Sequence, residues 1–383
     1  MTVLQLISSE GYYGAESMLV ALARALAGLG WEAVVGVLAD RRFGHTEVAE
    51  EARRLGLRAE IVPCRGRWDR RAVRQVRGLV GELGVEVIHS HGYKADFYAA
   101  AARRPRRAAL VATCHNWPNK RLSMRAYAAL DRLILLSFDR VATASPLVAN
   151  WLGRWRVDVA LVENGVDIEH FQGAAPALRQ ELGHGDGRLV GFVGRLVDAK
   201  GGRVLLEAAE SVVAVYPDTT FVLVGEGPDR REWEALAVRL GIRDRVVFAG
   251  VRRDMPAVYA SLDVLALPSY EENMPMCLLE AMAAGTPVIG TPVGAVPKLI
   301  LPDRTGLLTE PGDAAGLAAA ILRLLRDRRE AHRMGAMGQA HAIAEFSAAA
   351  AARRYAALYE LALQGLAGGG RRAYVPRWQR SGT

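Results

Sequence analysis

The stretch that decides the fold runs from Pro268 to Pro292 and reads PSYEENMPMCLLEAMAAGTPVIGTP. An acidic loop leads into an apolar helical run, then a glycine, then a short apolar strand. Ser269, Glu271, Glu272 and Pro275 are helix-start residues placed just before Met276-Cys277-Leu278-Leu279. Gly285 supplies the stop, and Val288-Ile289 continues as strand. Glu272 and Glu280 stand about two helical turns apart, so a helix that starts near Asn273 brings both carboxylates near one face. The reading is one carboxylate at a helix mouth, a second inside the helix, and free backbone N–H groups between them. Such a mouth suits an anionic ligand that also carries hydroxyls.

Outward from this stretch the chain alternates strand and helix, the pattern of parallel α/β sheets. Val3–Ile7, Ala33–Leu38, Glu86–Ile88, Ala109–Thr113, Val141–Thr143 and Ala160–Val162 read as the strands of a first unit. A helix from about Ala15 to Leu29 follows the first of them. Arg188–Val193, Thr220–Val224, Val246–Phe248, Val264–Leu267 and Pro287–Gly290 read as the strands of a second. Periodicity lapses between Asn164 and Gly187, which marks the boundary. The expected division is an N-terminal Rossmann-like domain over 1–165 and a C-terminal one over 166–346. An Ala-rich helix over about 347–366 packs back on the first, and a flexible basic tail covers 367–383.

Composition narrows the class. The 383 residues suit two domains of ordinary size. Hydrophobic content of 51% with 23% charged residues reads as a soluble globular protein. Cys64, Cys114 and Cys277 show neither pairing nor metal-ligand spacing, as expected of a reducing cytoplasm. The N-terminus reads as a first strand and not as a signal peptide, and no run is long and apolar enough to span a bilayer. The net charge of +8 favours anionic partners such as nucleotide diphosphates or lipid headgroups.

In open α/β sheets ligands bind beyond the carboxyl ends of the strands. The first strand ends in Gly11-Tyr12-Tyr13-Gly14-Ala15-Glu16, whose spacing is not the dinucleotide-binding fingerprint. His115 follows the strand Ala109–Thr113 and can hydrogen-bond a hydroxyl or phosphate. His89 and His91 close the strand before it. They are read as alternating faces, so that at most one points at a ligand, and neither is assigned a catalytic role. In the second unit Gly194-Arg195-Leu196 precedes Lys200-Gly201. An Arg fork and a Lys ammonium at a strand end suit a leaving group that develops negative charge. Gly225-Glu226-Gly227-Pro228 and Gly250-Val251 end the next two strands. No metal-ligand cluster is visible.

Together these motifs resemble the group-one retaining glycosyltransferases of the GT-B class, which use nucleotide sugars. Glu272 to Glu280 resembles their E-x7-E region, Gly194 to Gly201 their G-R-L-x-x-x-K-G, and Leu223 to Pro228 their V-G-x-G-P. Asn164-Gly165-Val166-Asp167 resembles the N-G-V-D segment, and Thr305 to Leu308 with Asp313 the closing strand. Gly14 falls on the second glycine of the G-G-x-E loop, with Tyr13 in place of the first. Lys298 reverses the charge of an acid common in the family. The resemblance runs from about residue 3 to residue 360.

It implies two Rossmann-like domains facing across a cleft, with the acceptor in the first and the nucleotide sugar in the second. Arg195 and Lys200 would take the diphosphate, with Gly194, Gly227 and Val251 around the nucleotide. Glu280 would hold the ribose hydroxyls, and Glu272 with the backbone of Asn273, Met274, Pro275 and Met276 the donor sugar. Gly14 and His115 would face the reacting phosphate and the acceptor. Arg195, Lys200, Glu272 and His115 are the catalytic candidates. No metal and no other cofactor are expected, because cations and a helix N-terminus can replace a divalent ion. The acceptor expected is a glycan or lipid-linked molecule, in cell-surface polysaccharide or glycolipid synthesis.

The first unit is rich in arginine. Arg65, Arg67, Arg70, Arg71, Arg74 and Arg77 form one group, Arg103, Arg104, Arg106 and Arg107 another, and Lys120, Arg121 and Arg125 follow Trp117. With Trp68 they read either as a solvated face or as a peripheral contact with anionic lipid at the inner face of the membrane. No nucleic-acid recognition motif accompanies them. Two other readings stay open: a GT-B epimerase or phosphorylase, and a non-catalytic sugar-nucleotide-binding subunit.

Overall fold

The fold is a computed structural model that describes residues 1–368 apart from positions 10, 43, 67, 104–107, 116–129, 156, 184 and 186. The readings for Arg67, Arg104, Arg106, Arg107, Trp117, Lys120, Arg121, Arg125 and the tail lie outside the described residues. The chain divides into two compact units. One is Met1–Gly165 with the segment from Ala348 onward, and the other is Val166–Ser347.

The first unit holds β1 (Thr2–Ile7), β2 (Glu32–Asp40), β3 (Arg58–Cys64), β4 (Val87–His91), β5 (Ala109–Thr113), β6 (Arg140–Thr143) and β7 (Val159–Leu161). They form one parallel sheet in the order β3-β2-β1-β4-β5-β6-β7. Helices cover both faces, so β1, β4 and β5 are buried along their whole length. Edge strand β3 carries Arg58, Glu60 and Pro63, which breaks its apolar alternation. The helix Ala348–Gly368 packs on this unit and buries Tyr355 and Tyr359 completely; the Trp31 ring meets Tyr359 edge-on at 5.2 Å. It is separated at Ser347 from the helix Arg328–Phe346, so the Ala-rich segment is the second of two helices.

The second unit holds β8 (Arg188–Val193), β9 (Thr219–Val224), β10 (Val246–Gly250), β11 (Val264–Leu267), β12 (Val288–Gly290) and β13 (Leu307–Leu308). The order is β10-β9-β8-β11-β12-β13, again parallel. Strand order reverses beside β8, the place where such sheets bind ligands.

The helix of the deciding stretch spans Met276–Ala283, three residues later than the sequence reading. Pro275 is its N-cap, with φ −71° and ψ 117°. The proline ring disfavours helical backbone at Met274, so the helix does not start before Pro275. Glu272 therefore sits in the loop, and the two carboxylates do not share a helix face.

Candidate active site

In the second unit four loops at the carboxyl ends of the strands are tied together by backbone. Leu196 N–H donates to Glu226 O (3.0 Å), and Tyr270 N–H to Ala199 O (2.9 Å). Ala295 N–H donates to Asn273 O (2.8 Å), and Thr291 Oγ1 to Ser269 O (2.5 Å). The approach is close enough to require glycine. A Cβ on Gly225 would lie 2.0 Å from Gly194 O, and one on Gly227 2.1 Å from Leu196 O. At Gly201, with φ +71°, a Cβ would lie 1.9 Å from Pro268 O.

These ties bring Lys200 and Glu272 together. Lys200 Nζ is 2.6 Å from Glu272 Oε1, which also accepts from Ser269 Oγ at 2.8 Å. Ser269 is fully buried, and its carbonyl is held by Thr291. Glu272 is thus fixed on one side and neutralised by a half-buried cation on the other. Beyond it the Met276 helix opens with no side-chain cap, leaving its first N–H groups for an anion. Arg195 is exposed on the loop after β8 and makes no ion pair among the described residues. Val251 is exposed at the end of β10. Met274 is buried, and Asn273 holds the loop through its carbonyl.

Glu280 lies inside the helix and is buried. Its Oε2 accepts from Tyr259 Oη at 2.7 Å, a partner the sequence reading missed. Burial raises the Glu280 carboxyl above its ordinary range, and the Tyr259 bond pulls it back down.

In the first unit, Gly14 opens the helix Gly14–Ala27. Glu16 accepts from Tyr13 N–H (3.1 Å) and from Ser9 Oγ (3.1 Å). The strained backbone falls at Gly11, φ +154°, where a Cβ would lie 2.6 Å from the Tyr13 ring. Tyr13 itself is extended, φ −127°, and needs no glycine.

His89 and His91 do not alternate faces. Residues two apart on a strand point the same way, and their ring centroids are 4.2 Å apart. They belong to one buried hydrogen-bond chain. Gln5 Nε2 donates to Tyr359 Oη (3.0 Å), and Gln5 Oε1 faces His91 Nε2 (2.8 Å), so that nitrogen carries the hydrogen. His91 Nδ1 then accepts from His115 Nε2 (3.0 Å), and the two rings stack. Tyr359 donates to His89 Nδ1 (2.7 Å), whose Nε2 donates to Thr113 Oγ1 (2.7 Å), which reaches Tyr355 Oη (2.9 Å). Every member is satisfied with all three imidazoles neutral. Burial holds His89 down at about 3 and His115 at about 4, and His91 well below its ordinary value. His115 Nδ1 is consequently a hydrogen-bond acceptor.

Beside His115 is a cavity of about 150 Å³ lined by Gly92, Tyr93, Asp96, Cys114, His115 and Asp131. Asp96 accepts from Ser90 Oγ at 2.5 Å. Both Asp131 carboxylate oxygens are buried, and apart from a proton shared with Asp96 they meet no hydrogen-bond donor among the described residues. Burial pushes Asp131 up to about 7 and, with the charge of Asp131, Asp96 well above the usual carboxylate range.

The arginine groups divide. Arg65, Arg70, Arg71 and Arg74 are exposed near exposed Trp68. Arg77 instead donates to Ala101 O at 2.6 Å, and Arg103 pairs with Asp139 at 3.0 Å. No described helix is long and apolar enough to cross a membrane. No three His, Cys, Asp or Glu side chains among the described residues are arranged to hold a metal ion.

A doubly wound parallel sheet in the second unit, with a cation–carboxylate pair and an uncapped helix beyond its strand ends, is the arrangement in which α/β proteins hold anionic ligands. The family model "Glycosyl transferases group 1" matches residues 187–327, and "Glycosyltransferase Family 4" matches residues 12–170. The D-inositol 3-phosphate glycosyltransferase of Nocardia farcinica is 30% identical over 338 residues, covering 80% of this chain and 72% of that one. The 2-deoxystreptamine glucosyltransferase of Streptomyces kanamyceticus is 35% identical over 216 residues, 54% of each. The chain thus spans about half the length of that relative. The structure of Anabaena HepE in complex with UDP superposes with a TM-score of 0.77 at 25% identity, covering 94% of this chain and 100% of that one. The chain belongs to the group 1 glycosyl transferases and has the GT-B fold.

Proposed function

We propose that this chain moves a hexose from a nucleotide-diphosphate sugar, with UDP the first nucleotide to test, to an acceptor hydroxyl with retention of anomeric configuration. The observation that carries the reading is the meeting of Lys200 and Glu272, 72 residues apart in sequence, beside an uncapped helix N-terminus at the switch point. Glu272 and the loop from Asn273 to Met276 hold the donor sugar, Glu280 the ribose hydroxyls, and Arg195 with Lys200 the diphosphate. The bond from the anomeric carbon to the phosphate oxygen breaks as the acceptor oxygen attacks from the same face. The acceptor proton passes to the departing phosphate oxygen. Two cations and the helix N–H groups balance its charge, so turnover needs no divalent ion.

A panel of nucleotide sugars tests this by nucleotide release in excess EDTA, with the product's anomeric configuration read by NMR. Inverted product would overturn retention, and metal-reversible loss of all turnover would overturn metal independence. Binding without turnover across the panel would favour a binding subunit.

The acceptor proposed is a glycan or lipid-linked molecule in polysaccharide or glycolipid synthesis, met at the inner membrane face. Exposed Arg65, Arg70, Arg71 and Arg74 beside Trp68 support it. Equal sedimentation with neutral and anionic vesicles would reject that contact. A second reading, a small cyclitol acceptor, is favoured by the names of the two relatives, which act on 2-deoxystreptamine and D-inositol 3-phosphate.

A further inference from the structure

The cavity beside His115 is not used by the donor chemistry. Its floor is made by Asp96, Cys114 and Asp131, which are 1%, 4% and 2% exposed, and its mouth by half-buried Gly92, Tyr93 and His115. Two carboxyls in a space of about 150 Å³ are costly unless something compensates them. Asp96 has the Ser90 hydroxyl and can share its proton with Asp131, but one shared proton serves only one Asp131 oxygen, and no other donor among the described residues reaches either.

We propose that this cavity receives a protonated amino group of the acceptor, with Asp131 as its principal ligand and Asp96 as the second carboxyl. The proposal rests on the sugar-transfer reading for the word acceptor and on the cavity alone for the amine.

Three features select an organic ammonium. An ammonium brings three N–H donors and one positive charge, so it satisfies both Asp131 oxygens and offsets the acid pair. A hydroxyl brings one donor and no charge. A divalent ion wants more hard ligands than two carboxyls supply, and no third His, Cys, Asp or Glu joins these two in a metal-holding arrangement among the described residues. The volume exceeds what one water needs and admits the amino group with the ring carbon that bears it.

The titration of the pair agrees. Without a cation, burial keeps Asp131 up at about 7 and Asp96 well above the usual carboxylate range, so the pair retains a proton near neutrality. Of the other groups facing them, Tyr93 and Cys114 are pushed up by burial and stay neutral, and His115 stays neutral because it is held low. No cation of the described lining competes for the acids. An incoming ammonium favours their ionised forms, so amine binding releases protons and strengthens as pH rises through about 7.

The test uses the full chain, with cyclohexylamine against cyclohexanol and methyl glucosaminide against methyl glucoside, titrated by NMR at pH 7.5. Each amine should bind at least about tenfold more tightly than its hydroxyl counterpart, ~1.4 kcal/mol, and Asp131→Asn should erase the difference. UDP affinity, measured in the same samples, should not change in that variant. Equal binding of amine and alcohol by the unmodified chain would overturn the proposal whether or not the variant folds. So would an amine preference that survives in folded Asp131→Asn. Amine indifference beside normal sugar transfer would sink this site alone. Absence of transfer beside a clear amine preference would sink the transfer reading and leave the amine site standing.

Discussion

Replacing Tyr259 by Phe isolates what holds Glu280 in place. The ring lies edge-on to Phe171 at 5.8 Å, so Phe keeps the packing and removes only the hydroxyl that donates to Glu280 Oε2 at 2.7 Å. A hydrogen bond to a charged group is worth ~1.5–3 kcal/mol, which sets the scale of the loss in UDP affinity at about ten- to 150-fold. The sign with pH is fixed. Burial raises the Glu280 carboxyl and the Tyr259 bond lowers it, so the variant raises it further. Ribose hydroxyls need the ionised form as acceptor. UDP affinity should therefore fall as pH falls, and the midpoint of that fall should lie at higher pH in Tyr259→Phe. Stability follows the same linkage. A carboxyl raised in the folded state destabilises it as pH climbs from the ordinary carboxylate value through the raised one. The variant's extra cost should therefore be larger at pH 8 than at pH 5. Calorimetric titration with UDP at pH 5.5, 6.5 and 8, beside urea melts, measures both. Wild-type UDP affinity with an unshifted pH profile would refute the role given to the Tyr259–Glu280 pair.

The double substitution Arg195→Ala with Lys200→Ala should leave the fold intact and cut turnover by at least the ~100–1000-fold typical of losing one such donor; near-normal nucleotide release would remove both from the diphosphate site. Glu272→Gln keeps an oxygen for Ser269 but drops the charge that faces Lys200, so sugar transfer should suffer more than UDP affinity; equal losses would contradict that division. His89 is held at about 3 against an unfolded value near 6.5, so its contribution to stability is present above ~6.5 and lost as pH falls from there toward 3. His89→Asn should show a shallower acid limb in urea midpoints than the parent chain, and superimposable limbs would show that this histidine does not titrate on unfolding.

Legibility of the fold followed burial. Central strands such as Val3–Ile7, Ala109–Thr113 and Val264–Leu267 are covered on both faces, so their sequences are nearly unbroken apolar runs that a linear reading finds. Edge strand β3 was not read because Arg58, Glu60 and Pro63 carry the signature of an edge, which resembles a loop in sequence. The Met276 helix starts later than its Glu and Ser start signals imply, because Pro275 keeps Met274 out of helical backbone. The break at Ser347 left no proline or glycine to mark it.

In the second unit, the glycines of the strand-end loops were legible because local geometry dictates their type. Gly201, Gly225 and Gly227 stand where another loop's carbonyl would clash with a Cβ, so that requirement is written at one position and can be recognised there. What the sequence did not disclose was partnership across the fold. Tyr259 is one tyrosine on an ordinary helix until the structure brings it to Glu280. Gln5, His89, His91, Tyr355 and Tyr359 are drawn from three segments as much as 354 residues apart, and no spacing rule joins them. Yet each is a polar side chain in an otherwise apolar, fully buried setting. A buried polar group must find a partner or destabilise the fold. Gln5 in an apolar first strand and two histidines at the end of a covered one were therefore visible as obligations before the partners were. Asp96 and Asp131 are obligations of the same kind. Asp96 is met by Ser90 and the histidines by their chain, whereas Asp131 has no described donor beyond a proton shared with Asp96, which leaves one of its oxygens for a ligand.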